Sequence, residues 1–449
     1  MIRLSLSSIC EVLDLPRPEC DVTVESVATD SRKVRYGSLF AALEGERVDG
    51  HEFTGAAVST GAVALLVRRP VDAPVPQLVV EDVLKALGRI ARLVRDTADP
   101  VVVGITGSNG KTTVKEMVSA ILRQNGPVLA TEANYNNELG VPLTLFRLET
   151  SHRHAVLEMG ASRAGDIEYL GEIAHPDIGL VTNIGPAHLE GFGDIEGVAR
   201  AKGEMFAALP AAGCAVINAD EPWRELWQSL NRAGRTLSFG TGADADVRVS
   251  ADGDVTCLET PVGECKVKLS LPGAHNRLNA AAAAAVAVAL DVPLADIRDG
   301  LESVGPVPGR LNLISTKAGW TVIDDTYNAN PASLYSALRV LAGMQGKAWL
   351  VLGDMKELGE DSRKLHAEVG DAARSLGVAR LFALGEMSAS TADAFGAGAE
   401  HFDDRNELVG ALRAALRPGI NCLVKGSRSM GMEQVVQAIT ESADVKEAC

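Results

Sequence analysis

Hydrophobic and polar residues alternate along most of this chain in the pattern of strands followed by helices. In the middle of the chain, short apolar runs predict buried strands, and the stretches between them have the three- and four-residue spacing of amphipathic helices. The first such helix carries Val114, Met117, Val118 and Ile121 on one face. A doubly wound parallel sheet is therefore expected. The predicted strands of this region are VVVGIT from Val101, HAVLEMG from His154, DIGLVTNIG from Asp177 and CAVINAD from Cys214.

The same pattern divides the chain into three parts. Before Pro100, brief β-branched runs separated by glycine and proline precede a helix and indicate a small α/β domain. Residues 246–271 alternate like an antiparallel patch. From Trp320 the strand pattern restarts at WTVIDD, AWLVLGD, RLFALGE and NCLVKGS, which predicts a Rossmann-like domain. We therefore expect an α/β protein with three domains, at residues 1–99, 100–309 and 310–449.

Composition narrows the class of protein. The chain has 449 residues, of which 46% are hydrophobic and 23% charged, and this mixture excludes a disordered or fibrous protein. Lysine and arginine number 43 against 59 aspartate and glutamate, and the resulting net charge of -16 argues against nucleic acid as a partner. An anionic small molecule stays compatible with this charge, because helix N-termini and a few local cations bind phosphate in any protein.

Cysteine usage and the N-terminal residues bear on the location of the protein. The seven cysteines are scattered without CxxC spacing, which is typical of reduced thiols rather than of a zinc site or a disulfide framework. Arg3, Glu11 and Asp14 interrupt the apolar N-terminal stretch, so no signal peptide is predicted. The aliphatic run from Ala280 to Leu290 is too short to span a bilayer. We expect a cytoplasmic protein without membrane insertion.

The segment GITGSNGKTT, Gly104 to Thr113, follows a predicted strand and opens a predicted helix, which is the setting of a phosphate-binding loop. Lys111 would reach the terminal phosphates of a nucleotide, and the Thr112 hydroxyl would hold Mg²⁺. Five residues separate Gly104 from Gly110, one more than the strict GxxxxGKS/T pattern allows, and an ordinary glycine turn is the alternative. The central domain is thus predicted to be a P-loop ATPase domain. Its candidate nucleotide-binding residues are Gly107, Ser108, Asn109, Gly110, Lys111, Thr112 and Thr113.

Polar residues also stand where other strands of this sheet are predicted to end. Glu158, Asn183 and Asn218 follow successive buried runs, and ligands of a parallel sheet collect at the carboxyl ends of its strands. Glu158 is a candidate magnesium ligand because this cation prefers carboxylate and other oxygen donors. His188 lies just beyond the Asn183 strand end. The alternatives are a solvated glutamate and a structural histidine.

Longer segments carry a resemblance to a known family over essentially the whole chain. They resemble the Mur ligases of bacterial cell-wall synthesis, and DDTYNANP and TEANYNNELGVP are the most member-specific of them. The DNPR-like motif of members that add diaminopimelate is absent, and folylpolyglutamate synthases generally lack a domain like residues 1–100. The matching segments are TGSNGKTT, LEMGA, TNIGPAHLEGF, ARAKGEMF, LPGAHNRLNA, PGRLN, DDTYNANP and LVKGSRS.

This resemblance implies an ATP-driven ligase that joins D-alanyl-D-alanine to UDP-N-acetylmuramoyl-tripeptide through an acyl phosphate. ADP, phosphate and the UDP-linked pentapeptide would be the products, and the three domains would bind the sugar peptide, ATP and the incoming amine. The implied cofactors are ATP, two Mg²⁺ ions and a lysine carbamylated by CO₂, in a monomeric protein. Two other hypotheses remain for the function of the chain. It is another amide ligase of the Mur or folylpolyglutamate synthase type, or it is a nucleotide-binding switch that kept the fold without catalytic activity.

The resemblance also assigns catalytic and ATP-side residues. Thr112 and Glu158 resemble ligands of one magnesium, and His188 resembles a ligand of the second. Lys202 resembles the lysine that becomes carbamylated, with a surface lysine as the alternative. Arg310 would reach the ATP phosphates across a hinge near Gly309. The implied catalytic set is Lys111, His188, Lys202 and Arg310, and further implied ATP contacts are Asn183, Asn276, Asn279, Arg310 and Asp325.

Substrate contacts are implied in all three domains. The Ser31 segment resembles the uridine-binding end, and the asparagines of the ANYNN segment resemble the lining of the peptide channel. Lys425 and Arg428 are candidate anchors for the dipeptide carboxylate, with a solvated loop as the equal alternative. Ala133 departs from the glycine usual in relatives. The implied substrate-binding residues are Ser31, Arg32, Asn134, Asn136, Asn137, Tyr327, Asn328, Lys425 and Arg428.

Overall fold

The computed structural model describes residues 1–45, 48–186 and 189–441. Within these ranges the strands form four sheets, and no described strand pairs with a strand from another of the three parts of the chain. We call these parts the N-terminal, central and C-terminal domains. The three-domain α/β architecture agrees with the sequence pattern, whereas the boundaries at residues 99 and 309 stay predictions.

The N-terminal domain holds a parallel sheet with the strand order β3-β4-β5-β6 and a separate antiparallel pair, β1 and β2. Its strands are β1 Leu4–Ser5, β2 Thr23–Val24, β3 Ser26–Ala28, β4 Ser38–Ala41, β5 Ala62–Val67 and β6 Gln77–Val79. Its helices are α1 Leu6–Val12, α2 Thr54–Thr60 and α3 Val83–Ala98, with short 3-10 helices at Ser31–Lys33 and Gly50–Phe53.

Helix α3 of the N-terminal domain packs against the central domain. Its buried face, which includes Leu87 and Ile90, belongs to the same hydrophobic cluster as Leu170 and Ile173 of the central domain. The buried Arg95 adds hydrogen bonds to the main-chain oxygens of two central-domain residues and to a carboxylate. Because apolar burial and hydrogen bonds act together along this face, we expect the first two domains to move as one body.

The central domain is built on nine strands in the order β15-β14-β13-β12-β11-β10-β7-β9-β8. Strands β7 to β13 pair in parallel, and the predicted antiparallel patch forms β13, β14 and β15. The strands are β7 Val101–Thr106, β8 Val128–Ala130, β9 His154–Glu158, β10 Ile178–Val181, β11 Cys214–Asn218, β12 Arg235–Gly240, β13 Val247–Asp252, β14 Val255–Thr260 and β15 Gly263–Val267. The helices are α4 Lys111–Arg123, α5 Gly140–Leu145, α6 Asp166–Ala174, α7 Leu189–Phe192, α8 Ile195–Ala207, α9 Arg224–Leu230, α10 Ala274–Ala289 and α11 Leu294–Ser303.

The C-terminal domain has six strands in the order β16-β17-β21-β18-β19-β20, all parallel except β16. Its two hydrophobic clusters contain residues of this domain alone. The strands are β16 Asn312–Ser315, β17 Thr321–Asp325, β18 Lys347–Gly353, β19 Arg380–Leu384, β20 Ala399–Phe402 and β21 Ile420–Lys425. The helices are α12 Pro331–Ala342, α13 Ser362–Ser375, α14 Ala389–Phe395, α15 Arg405–Ala415 and α16 Glu433–Glu441, with 3-10 helices at Gly359–Asp361 and Arg428–Met430.

The hydrophobic pattern misses several short or partly polar strands. Short strands carry too few apolar residues to be distinguished from loops, and β8 and β20 also lie at the edges of their sheets. The alanine-rich run from Ala280 is part of the buried helix α10. Among the described residues, no helix is long and apolar enough to cross a membrane. The strands that the pattern does not single out are β1, β4, β8, β12, β16 and β20.

Candidate active site

The glycine loop between β7 and α4 has a conformation that requires glycine at two positions. Gly107 and Gly110 have φ angles of 141° and 81°, which side-chain-bearing residues rarely adopt. A methyl group at Gly107 would lie 1.9 Å from Thr182 Oγ1, and one at Gly110 would lie 2.6 Å from Asn279 Oδ1. Helix α4 begins directly behind the loop at Lys111. The free N–H groups of such a helix start form a phosphate-binding site.

Asn183 holds this loop in place from the end of the neighbouring strand β10. Its Oδ1 accepts a hydrogen bond of 3.0 Å from the Asn109 N–H, and its Nδ2 donates one of 3.0 Å to the Asn109 oxygen. The Ser108 N–H donates to the Asn183 main-chain oxygen at 2.9 Å. The Asn183 amide is therefore occupied by the loop, and its hydrogen bonds help to fix the conformation of the loop.

Lys111 folds over the loop that precedes it. Its Nζ donates a hydrogen bond of 2.8 Å to the Gly107 oxygen. Burial lowers the pKa of Lys111, and the nearby Glu158 carboxylate partly offsets this effect. An anionic phosphate in the loop would supply the opposite charge that this half-buried ammonium group needs.

An oxygen cluster lies beside Lys111. The Thr112 hydroxyl donates to Glu158 Oε2 at 2.9 Å, and Asn136 Nδ2 donates to Glu158 Oε1 at 2.8 Å. Glu158 is buried and has a relative exposure of 2%. A hydroxyl oxygen next to a buried carboxylate is the type of donor set that Mg²⁺ prefers, so Thr112 and Glu158 fit this cation.

Lys202 on helix α8 is buried against the same cleft. Its Nζ lies 5.6 Å from the centre of the Phe192 ring, and its relative exposure is 2%. Burial, and next the charge of Lys111, lowers the pKa of Lys202 to about 7. A fraction of this amine is therefore neutral near pH 7. His188, the other residue of the predicted second metal site, lies outside the described residues.

Arg310 of the C-terminal domain reaches the glycine loop. Its Nη2 lies 3.4 Å from Thr112 Oγ1, and its guanidinium carbon lies 4.1 Å from the centre of the Tyr327 ring. Its Nε is buried and has no hydrogen-bond partner in the described part of the chain. A guanidinium group with an unsatisfied donor beside a phosphate loop is suited to an anionic ligand.

Two clefts meet at these residues. The larger has a volume of about 1110 Å³ and is bordered by all three domains, including Lys85 from α3 and Arg428 from the C-terminal domain. The smaller has a volume of about 260 Å³ and is also bordered by the glycine loop. Of the predicted site residues, the larger cleft is bordered by Gly107, Ser108, Asn109, Lys111, Asn134, Asn136, Asn137, Glu158, Lys202, Arg310, Tyr327, Asn328 and Arg428. The smaller is bordered by Asn109, Gly110, Thr113, Asn183, Asn276, Asn279, Arg310, Asp325 and Lys425.

Family models of Mur ligases match all three domains of the chain. They are the Mur ligase family catalytic domain at residues 23–95, the Mur ligase middle domain at residues 105–287 and the Mur ligase glutamate ligase domain at residues 309–428. The UDP-N-acetylmuramoyl-tripeptide–D-alanyl-D-alanine ligase of Escherichia coli K12 is 43% identical over 450 residues, which cover 98% of this chain and 99% of the relative. The chain belongs to the Mur ligase family.

Solved Mur ligase structures have the same fold. A crystal structure of MurF from Acinetobacter baumannii matches with a TM-score of 0.91 at 34% identity, covering 98% of this chain and 99% of that one. The MurF ligase of Thermotoga maritima in complex with ADP matches with a TM-score of 0.84 at 31% identity, covering 93% and 97%. The predicted family, the ligase class and the three-domain α/β fold are therefore confirmed.

Lys425 of this Mur ligase borders the smaller cleft and already has an anionic partner there. Its Nζ is buried and donates to Asp325 Oδ2 at 2.5 Å and to the Asn328 oxygen at 2.9 Å. Because Asp325 already neutralises this ammonium group at the smaller cleft, Arg428 at the larger cleft is the remaining candidate for the dipeptide carboxylate.

The predicted uridine-binding residues lie apart from both clefts. Ser31 and Arg32 are on the first 3-10 helix of the N-terminal domain, and the Arg32 side chain is exposed and hydrogen-bonded to Asp30. Asn218 is also outside the clefts, since its buried amide donates to the Thr182 oxygen at 2.8 Å. Ala133 has a φ of 49°, a conformation that favours glycine, in keeping with the glycine usual in relatives.

Other residues border the clefts without having been predicted. The loop after β9 brings Arg163 to the larger cleft, the following helix α6 brings Asp166 and Tyr169, and Lys85 reaches it from helix α3. The sequence does indicate the β9 loop as a site candidate, because it directly follows the strand that ends at Glu158, and ligands collect at such strand ends. His275 borders the smaller cleft in the segment AHNRLNA, where only its asparagines were selected.

Proposed function

We propose that this Mur ligase joins D-alanyl-D-alanine to UDP-N-acetylmuramoyl-tripeptide at the expense of ATP, making a UDP-linked pentapeptide for peptidoglycan synthesis. One observation carries the proposal: Lys111, the Thr112 and Glu158 pair and Arg310 converge from two domains on one cleft. The relative from Escherichia coli bears the name of this reaction at 43% identity.

The charges at the cleft fit the first chemical step. A carboxylate is a poor acyl donor, so an oxygen of the tripeptide carboxylate attacks the γ-phosphorus of ATP and releases ADP. The two reactants are both anions, and Lys111, Arg310 and the start of α4 place positive charge where they meet. The amine of the dipeptide then attacks the acyl carbon, the C–O bond to phosphate breaks, and the nitrogen loses a proton.

ATP use is supported by the ADP bound to the Thermotoga maritima relative. Thr112 and Glu158 would hold Mg²⁺, since a hydroxyl and a buried carboxylate oxygen lie side by side there. When bound, this ion would neutralise negative charge on the phosphates of ATP. Asn276 and Asn279 at the smaller cleft would contact the adenine side of the nucleotide.

We also propose that Lys202 is carbamylated. The ammonium group first loses a proton, and the neutral amine nitrogen then attacks the carbon of CO₂ and loses a second proton. The two proton losses together replace a cation by an anion. The burial of Lys202 and its lowered pKa near 7 favour the neutral nucleophile that this reaction needs. The resulting carboxylate and His188 would hold a second Mg²⁺, as the family resemblance implies.

The remaining substrate groups are assigned by position. Asn134, Asn136 and Asn137 border the larger cleft and would contact the peptide, and Ser31 and Arg32 would contact the uridine end. Arg428 would bind the dipeptide carboxylate. Tyr327 and Asn328 would line the amine side. We further propose domain boundaries at residues 99 and 309, a monomeric state, and a cytoplasmic location where ATP is supplied.

The release of inorganic phosphate from ATP, measured in the presence of Mg²⁺, tests the proposal. Three mixtures are compared, which contain UDP-N-acetylmuramoyl-tripeptide alone, D-alanyl-D-alanine alone, and both. We expect full turnover only with both, and a product with the mass of the pentapeptide. Turnover with another amine or with a folate substrate would favour a different amide ligase. ATP binding without turnover under any condition would favour a noncatalytic switch.

A further inference from the structure

Arg310 sits on a turn that is fixed to the loop after β17. The Gly309 N–H donates to Asp324 Oδ2 at 3.2 Å, the Leu311 N–H donates to Asp325 Oδ1 at 3.2 Å, and the Tyr327 N–H donates to the Gly309 oxygen at 3.1 Å. These three hydrogen bonds flank Arg310 on both sides. The backbone beneath Arg310 and the backbone beneath Tyr327 are therefore parts of one unit.

The guanidinium group itself has little polar support. Its contact with Thr112 Oγ1 is long at 3.4 Å, its Nε is unpartnered, and no carboxylate forms an ion pair with it among the described residues. The face of the Tyr327 ring, whose centre lies 4.1 Å from the guanidinium carbon, supports the group from one side. A cation above an aromatic face is held in orientation without using its hydrogen-bond donors. The donors of Arg310 thus stay available to a phosphate.

The same ring also faces a second arginine. The guanidinium carbon of Arg428 lies 5.9 Å from the centre of the Tyr327 ring. Tyr327 thus lies close both to the arginine at the glycine loop and to the arginine at the proposed dipeptide site.

We propose that Tyr327 is a positioning residue that aims Arg310 at the glycine loop through its ring. This inference rests on the proposed function, because it assigns the two arginines to the two substrates of that reaction. It assigns no role to the Tyr327 hydroxyl. The ring is therefore the part of the side chain that should matter.

Two substitutions at Tyr327 separate the ring from the hydroxyl. Tyr327→Leu removes the aromatic face, and we expect kcat to fall about 10-fold and the KM for D-alanyl-D-alanine to rise several-fold. The KM for the UDP-tripeptide should stay unchanged, because its proposed contacts lie elsewhere in the cleft. Tyr327→Phe keeps the ring and should restore most of the kcat that the leucine variant loses. Tyr335→Leu, a half-buried tyrosine on α12 away from both clefts, is the matched control.

A double-mutant cycle with Arg310→Ala tests whether the ring acts through Arg310. Once Arg310 is removed, we expect Tyr327→Leu to lower kcat by less than about 2-fold further. Additive losses, an unimpaired Tyr327→Leu, or a Tyr327→Phe as impaired as the leucine variant would each overturn the inference. If Tyr327→Leu does not fold, the phenylalanine variant alone decides between ring and hydroxyl. A wild-type enzyme that makes no pentapeptide would instead overturn the proposed function.

Discussion

Asn330 Nδ2 of the C-terminal domain donates a hydrogen bond of 2.9 Å to Asn109 Oδ1 of the phosphate loop. The same Asn330 side chain caps helix α12, since its Oδ1 accepts a hydrogen bond of 2.9 Å from the Ser333 N–H. One amide thus ties the start of a C-terminal helix to the loop of the central domain. This arrangement suits a cleft that closes around ATP and keeps water away from the acyl phosphate.

Asn330→Ser separates the two functions of this side chain. Serine is a good helix cap but is too short to reach Asn109, so the free energy of unfolding should change by less than about 1 kcal/mol. The affinity for ATP should fall several-fold because closure loses a hydrogen bond. Calorimetric titration with ADP and thermal unfolding measure the two effects. Unchanged nucleotide affinity with the fold intact would show that the Asn109 contact does not assist closure.

Lys111→Ala should lower phosphate release by at least about 100-fold, because the developing charge on the transferred phosphoryl group loses its nearest cation. Among the described residues its Nζ makes a single hydrogen bond, to the Gly107 oxygen, so the fold should persist. Initial rates with both substrates and a far-UV circular dichroism spectrum are the measurements. Retained turnover would mean that the glycine loop does not hold the reacting phosphates.

Lys202→Ala should lose activity and recover part of it when formate or acetate is added. A small carboxylate can enter the space left by the side chain and replace the anionic oxygen of the carbamate. Lys111→Ala, whose lost charge is positive, is the control that carboxylates should not rescue. If Lys202→Ala is as active as the wild type without additives, the carbamate has no part in the reaction.

His366 should make the C-terminal domain less stable in mild acid. Its Nδ1 lies 2.7 Å from the Ser362 oxygen and its Nε2 accepts from the Met355 N–H at 3.0 Å, so the neutral ring satisfies both partners. Burial lowers the pKa of His366 below its ordinary value of about 6.5. The unfolded chain therefore binds a proton first, and stability falls as the pH drops below about 6.5, by at most about 1.4 kcal/mol per pH unit.

Urea unfolding between pH 5 and pH 8 checks this dependence. His366→Gln removes the titrating ring, so its free energy of unfolding should vary less with pH than that of the wild type. His401→Gln, an exposed histidine of the same domain, should leave the pH dependence unchanged. Equal pH dependence in the wild type and His366→Gln would contradict the assignment.

Local chemistry allowed part of this site to be predicted from the sequence. The loop that contains Lys111 and the strand-end carboxylate Glu158 belong to one sheet, and the order of a parallel sheet brings their ends together. Lys202 and Arg310 needed the family resemblance, because neither has a distinctive neighbourhood in the sequence. The strands β8, β16 and β20 were missed because edge strands show little hydrophobic contrast.

Contacts between domains could not be predicted in this way. The hydrogen bond between Asn330 and Asn109 depends on how the C-terminal domain lies against the glycine loop. Contacts between residues that are distant in sequence within the C-terminal domain could not be predicted either, such as those of Tyr327 with Arg310 and Arg428. Lys425 is a third example, because the parallel pairing of β17 with β21 places it beside Asp325.

The central claim is that the tripeptide carboxylate attacks ATP to form an acyl phosphate. The transfer of one oxygen atom from the carboxylate to phosphate tests it most directly. The terminal carboxylate of the UDP-tripeptide is labelled with ¹⁸O, and the inorganic phosphate released with ATP, Mg²⁺ and D-alanyl-D-alanine is analysed by mass spectrometry. If the carboxylate attacks the γ-phosphorus, one labelled oxygen moves from the peptide to phosphate in each turnover. Phosphate without the label, released together with pentapeptide, would contradict an acyl phosphate at this cleft.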